Sequence, residues 1–150
     1  MKNFHKLFFV FLLLFAFAGC EDEIVSRIPY ASVSFTIDLS FDDNDLAGAY
    51  TAKSVTKKRT DYDGLGYGGL LLFNKGVLAL HEIYAYDLSC PNEAKRDVRV
   101  VPNTSGQAVC PQCNAIYNLD SNGAPASGSS YYLHQYPVSP SGNNRYIVSN

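Results

Sequence analysis

Two short stretches decide the reading of this chain: Tyr86-Asp87-Leu88-Ser89-Cys90-Pro91-Asn92-Glu93 and Val109-Cys110-Pro111-Gln112-Cys113-Asn114-Ala115-Ile116-Tyr117. Each follows an apolar strand-like run, and each places proline directly after cysteine. Proline fixes φ and removes a donor, so the remaining loop amides are free to point at a sulfur or a metal. Seventeen residues separate Asn92 from Cys110.

Strand signals surround these loops. Ala31 to Leu39 alternates, with Val33, Phe35, Ile37 and Leu39 on one face and Ser32, Ser34, Thr36 and Asp38 on the other. A period of two marks a half-buried strand. Phe41 to Gly48 is acidic and turn-like, and Tyr50 to Thr60 has weaker strand character. The glycine-rich run Asp63-Gly64-Leu65-Gly66-Tyr67-Gly68-Gly69 precedes the apolar strand Leu70-Leu71-Leu72-Phe73. It lacks a GK[ST] ending and a following helix, so close backbone packing explains it better than phosphate binding. Asn74-Lys75-Gly76 reads as a hairpin turn and 77–88 as a second strand region. Short strands follow at 98–101 and 115–119, then a Gly/Ser/Ala/Pro loop at 120–130. Closing strands at 131–138 and 145–148 flank a turn at 140–144. No segment makes a convincing helix, and the pattern predicts an all-β domain of many short strands.

The amino terminus carries a separate message. Lys2 and Lys6 precede an entirely apolar run, 7–18, and Phe17-Ala18-Gly19-Cys20 leads into Glu21-Asp22-Glu23. This is the layout of a signal peptide, with an apolar run too short to span a bilayer. The stretch resembles a bacterial lipobox, which implies cleavage before Cys20 and a lipid on that cysteine. The expected organisation is a signal peptide over 1–19, a lipidated Cys20 with a tether over 20–30, and a β domain over 31–150. The acidic run resembles signals that direct some lipoproteins to the surface of the outer membrane. The expected location is therefore the cell envelope, lipid-anchored at the outer membrane, on its periplasmic or surface face. Removing Lys2 and Lys6 from the 12 basic residues leaves ten against 14 acidic ones, a net charge near −4. Apart from Lys57-Lys58-Arg59 there is no basic patch, which argues against a nucleic-acid partner.

With Cys20 lipidated, Cys90, Cys110 and Cys113 remain, an odd number for an exported protein. The loops that carry them resemble the Rieske iron–sulfur family, whose pattern is Cys-x-His, a gap of this size, then Cys-x-x-His and an aromatic. Gly68 to Phe73, Tyr84-Ala85-Tyr86 and Cys90-Pro91 are similar to that family's lead-in. Tyr117 to Asp120, with Gly123, Pro125, Gly128, Leu133 and Tyr136-Pro137-Val138, is similar to its closing segment. The similarity runs over about 66–150. It implies antiparallel sheets with two facing Cys-Pro loops at one end, a 2Fe–2S cluster, and one-electron transfer to a redox partner.

The departures fall on the ligands. Both histidine positions are changed, to Asn92 and Cys113, leaving Cys90, Cys110 and Cys113 as sulfur ligands and Asn92 as a weak fourth. Glu93 and Asn114 are poorer candidates. His81 and His134 fall at positions the family does not use for ligation. The alternative is a structural or interaction lipoprotein without a cluster, its loops tied by a disulfide from Cys90 to Cys110 or Cys113 and its partner an unknown protein. A thioredoxin-type dithiol fits poorly because a strand follows Cys113, and a zinc knuckle because only half of one is complete. No enzyme is expected: there is no nucleophile beside a base, and Rieske oxygenases need a catalytic iron domain for which these residues leave no room.

Overall fold

The computed structural model describes residues 26–76 and 81–150. The predicted signal peptide, Cys20 and the start of the tether lie outside them. The described residues are all β apart from one helical turn at Asn44–Leu46. Strands β1 (Val33–Asp38), β2 (Thr51–Val55), β3 (Gly64–Leu65), β4 (Leu70–Asn74), β5 (Ile83–Asp87) and β6 (Val101–Pro102) come first. β7 (Gln107–Val109), β8 (Ile116–Asn118), β9 (Ala124–Ser127), β10 (Gln135–Tyr136), β11 (Val138–Gly142) and β12 (Arg145–Ser149) follow.

They form three four-stranded sheets, in the orders β11-β12-β1-β3, β10-β5-β4-β2 and β6-β7-β8-β9. Every pairing between these strands is antiparallel. The sheet containing β4 is the middle layer, and β4 reads as an unbroken apolar run because both of its faces are covered. Leu70 and Leu72 join Val33, Phe35, Ile37, Leu39 and Val148 in one core cluster. Leu71 and Phe73 join Tyr86, Leu88, Val100, Ala108, Tyr117 and the buried cysteines in the other. The alternation predicted for β1 holds, with its apolar face in the first cluster.

Three sequence-based boundaries shift. The loop predicted over 120–130 contains β9, an edge strand on β8 with a register shift at Ile116/Tyr117. Its composition hid it, since Pro125 is tolerated in an edge strand. The closing strand predicted over 131–138 is only Gln135–Tyr136, followed after Pro137 by β11. β11 runs through Pro140 to Gly142, and the turn contracts to Asn143 and Asn144, with φ of 51° and 59°. Asparagine tolerates that left-handed region better than most residues. The strand region predicted over 77–88 is Ile83–Asp87, and its predicted start at 77–80 lies outside the described residues.

Candidate metal centre

The two Cys-Pro loops are the tips of two β-turnbacks. Val109 pairs with Ile116 across β7 and β8, and the Cys110 amide donates to the Ala115 carbonyl at 2.9 Å. In the other loop the Cys90 amide donates to Val98 O and the Val100 amide to Leu88 O, both at 2.8 Å. Ser89 bridges Arg99 beside them.

The tips share one backbone plan. Ala94 N donates to Cys90 O at 2.9 Å, and Asn114 N donates to Cys110 O at 2.9 Å. Each is a single five-residue turn with an i+4 to i bond. Each ends on a left-handed residue, Ala94 with φ 50° and Asn114 with φ 59°. Residues 90–94 therefore superpose in role on 110–114, and the counterpart of Cys113 is Glu93. That equivalence was invisible to the Cys-x-His template, which sets Asn92 in the ligand position.

The tips bring Cys90, Cys110 and Cys113 together, all three sulfurs within 4.8 Å of one another. All three are thiols, and Cys90 Sγ lies 3.7 Å from Cys113 Sγ. Cys90 and Cys110 are fully buried, whereas Cys113 is partly exposed. Burial pushes the Cys90 thiol up to about 11, against the opposing pull of the Tyr117 hydroxyl and the Glu93 and Asn92 amides. At Cys113 burial acts upward too, but the Ala115 amide, the Asn92 side chain and the neighbouring thiols outweigh it and hold this thiol below its usual range. Of Cys90 and Cys113, Cys113 is thus the readier thiolate.

Asn92 reaches the site with the wrong end for a ligand. Its NH2 faces Cys113 Sγ at 3.6 Å and donates to Gly128 O at 2.7 Å. Its Oδ1 accepts from Ser129 Oγ at 2.8 Å. The predicted weak ligand is instead a donor to sulfur that ties the tip to the 128–129 segment. Tyr117, buried beneath the thiols, holds its hydroxyl 3.5 Å from Cys90 Sγ. The two histidines are engaged elsewhere. His81 Nδ1 lies 3.1 Å from Asn74 Nδ2, and the His134 ring sits edge-on to Tyr136 at 4.9 Å.

Sequence reasoning missed the support for the first tip. Asp87 is fully buried at the end of β5. Its carboxylate accepts from the amides of Tyr67 (2.6 Å), Gly68 (3.0 Å) and Ser89 (2.8 Å) and from Tyr136 Oη (2.7 Å). Arg99 Nε donates to Gly68 O at 2.6 Å. The glycine-rich run thus wraps a buried carboxylate, and a Cβ on Gly68 would collide with Ser89 Oγ. The available signal was an acid ending the run Ile83-Tyr84-Ala85-Tyr86 behind a glycine-rich stretch.

A 2Fe–2S cluster can be tested against this geometry. Three corners of a tetrahedron around one ion lie about 3.8 Å apart for metal–sulfur bonds of about 2.3 Å. In the Rieske arrangement Cys90 and Cys113 would bind different irons, separated by the width of the iron–sulfide core. At 3.7 Å they are too close for that, and Asn92 turns its donor inward. As placed, Cys90, Cys113 and Asn92 do not fit a two-iron centre.

Fold and site together define an all-β domain with a three-thiol centre between two turnback tips. No family model matches the chain, and no curated protein matches it. Among solved structures, a Mycobacterium tuberculosis protein described as a candidate NADH-dependent nitrite reductase small subunit aligns with a TM-score of 0.46 and 15% identity, over 79% of this chain and 96% of that one.

Proposed function

We propose that the chain is a lipid-anchored lipoprotein of the cell envelope whose Rieske-like domain has given up its two-iron cluster. It acts as a binding or interaction module and not as an enzyme. The observation that carries this is the 3.7 Å spacing of Cys90 and Cys113. That spacing ties the two tips to each other and leaves no room for a cluster core between them. In an oxidising compartment this pair is the one placed to close as a disulfide. Closing that 23-residue span would stabilise the domain by about 3.4 kcal/mol on the chain-entropy estimate. The test is iron and acid-labile sulfide analysis of the anaerobically purified chain. The expected result is a colourless protein without labile sulfide; two irons and two sulfides per chain would refute the proposal.

One observation favours a second reading, electron transfer through an altered 2Fe–2S centre. The Asn92 and Glu93 amides face the Cys90 sulfur, and the Ala115 amide faces Cys113. Hydrogen bonds of this kind tune clusters. This reading requires Cys113 to swing away from Cys90. Thiolate in place of imidazole adds negative charge, so the potential of such a centre would fall below about −150 mV, the lower end of the Rieske range.

A further inference from the structure

The matched tips point to a different occupant. We infer that, in its reduced state, this centre binds one thiophilic divalent ion of the zinc class through Cys90, Cys110 and Cys113, with Glu93 supplying the fourth corner. This rests on the cluster-less reading above and deepens it.

Three observations converge. The first is the sulfur spacing: Cys90 and Cys113 lie 3.7 Å apart, the edge of a single tetrahedron, and Cys110 is within 4.8 Å of both. The second is the backbone equivalence of the tips. Cys110 and Cys113 approach the centre from positions 1 and 4 of their turn, and in the other turn those positions are Cys90 and Glu93. Three of those four side chains are thiols already grouped within 4.8 Å; the fourth, Glu93, stands outside that group and would turn in to reach an ion. The third is the setting of Glu93. Its side chain is largely covered, and its Oε2 lies 3.3 Å from Gln112 Nε2 on the opposite tip. The carboxylate therefore already spans the gap between the loops, with Lys95 Nζ at 3.9 Å to offset its charge. Sulfur-rich donor sets select soft or borderline ions, and a carboxylate is an accepted zinc ligand. A divalent ion also neutralises more of the buried thiolate charge than a monovalent one. Asn92 donates to Cys113 Sγ, the outer hydrogen bond that sulfur ligands receive in such centres.

The experiment is a titration of the reduced, metal-free full chain in detergent with Co²⁺ alone and then Zn²⁺ alone. It reads thiolate-to-cobalt charge transfer and, for zinc, competition with a chromogenic chelator. One cobalt per chain with tetrahedral bands is expected, displaced by zinc. Cys113→Ser should weaken binding by about 100-fold and Glu93→Gln by about tenfold. Glu93→Cys should tighten binding and add one thiolate's worth of charge-transfer absorption, a gain of function that misfolding cannot mimic. Absence of stoichiometric cobalt or zinc overturns the inference while leaving the cluster-less reading intact. Tight cobalt binding that ignores both Glu93 substitutions overturns the role of Glu93. Labile sulfide and iron in the starting protein would overturn both proposals together.

Discussion

Replacing Asp87 with alanine strips the acceptor from four donors: the amides of Tyr67, Gly68 and Ser89 and the hydroxyl of Tyr136. Gly68, Ser89 and Tyr136 are buried, and only Tyr67 can turn towards water. A buried donor left unpaired costs about 1–3 kcal/mol. Some relaxation and water entry follow, so the expected loss is about 4 kcal/mol. At roughly 3 °C per kcal/mol for a chain of this size, the melting temperature falls by about 12 °C. Asp87→Asn keeps one acceptor but turns an NH2 towards the remaining donors, and should lose about half as much. Tyr136→Phe removes one bond and should lose about 1 kcal/mol. The assay is urea unfolding of purified variants followed by far-UV circular dichroism, with melting curves alongside. An Asp87→Ala variant within 1 kcal/mol of the parent would refute the claim that this carboxylate holds the glycine-rich run and the Cys90 turnback together.

Further stability outcomes can be checked with the same measurement, and one on the anchor by cell fractionation. Ser89 Oγ is buried without a partner, so Ser89→Ala should leave stability unchanged or raise it by up to about 1 kcal/mol. It should also relieve part of the damage done by Gly68→Ala, whose new Cβ meets that hydroxyl. Ala94→Gly should stabilise by about 0.5–1 kcal/mol, because Ala94 sits at φ 50° where a Cβ is unfavourable. Asp43 is buried against Arg59 and Lys53; burial pushes its carboxyl up, but these cations and the Asp38 amide hold it below the usual 3.8. A folded value below the unfolded one gives stability that is full above about pH 4 and lost as pH falls through the folded value. The midpoint difference between pH 7 and pH 3 should therefore shrink in Asp43→Asn. Finally, Cys20→Ser should release the chain from the membrane fraction or leave an uncleaved precursor; a mature, acylated species would refute the lipobox reading.

Much of the architecture was legible because burial writes a clear period into strands. Val33, Phe35, Ile37 and Leu39 announced β1, and the unbroken Leu70–Phe73 announced a buried strand, which the structure covers on both faces. The meeting of Cys90, Cys110 and Cys113 was legible from the paired Cys-Pro motif. What stayed hidden was carried by backbone and by polar side chains acting at a distance. β9 pairs through its main chain, so Pro125 and its small neighbours gave no apolar alternation. Asn92 occupies a ligand position by spacing, yet its carbonyl oxygen is claimed by Ser129, 37 residues away. The equivalence of Glu93 and Cys113 lies in two i+4 to i hydrogen bonds and two positive φ angles, which a ligand template does not read. Asp87 looked like an ordinary strand end because its four donors come from three separate segments.

The middle strand β4 separates the two core clusters and belongs to both, since its odd and even side chains enter opposite ones. Neither half can open its core without uncovering one face of this strand. Under native-state hydrogen exchange the amides of Leu71, Leu72 and Phe73 should then be released only by global opening, whereas edge strands such as β9 and β6 exchange through local fraying. The thiol-bearing tips are attached to the strand through β5 and through the packing of β7 and β8. A change at the tips can therefore remodel the upper half of the domain while the wall beneath it stays closed.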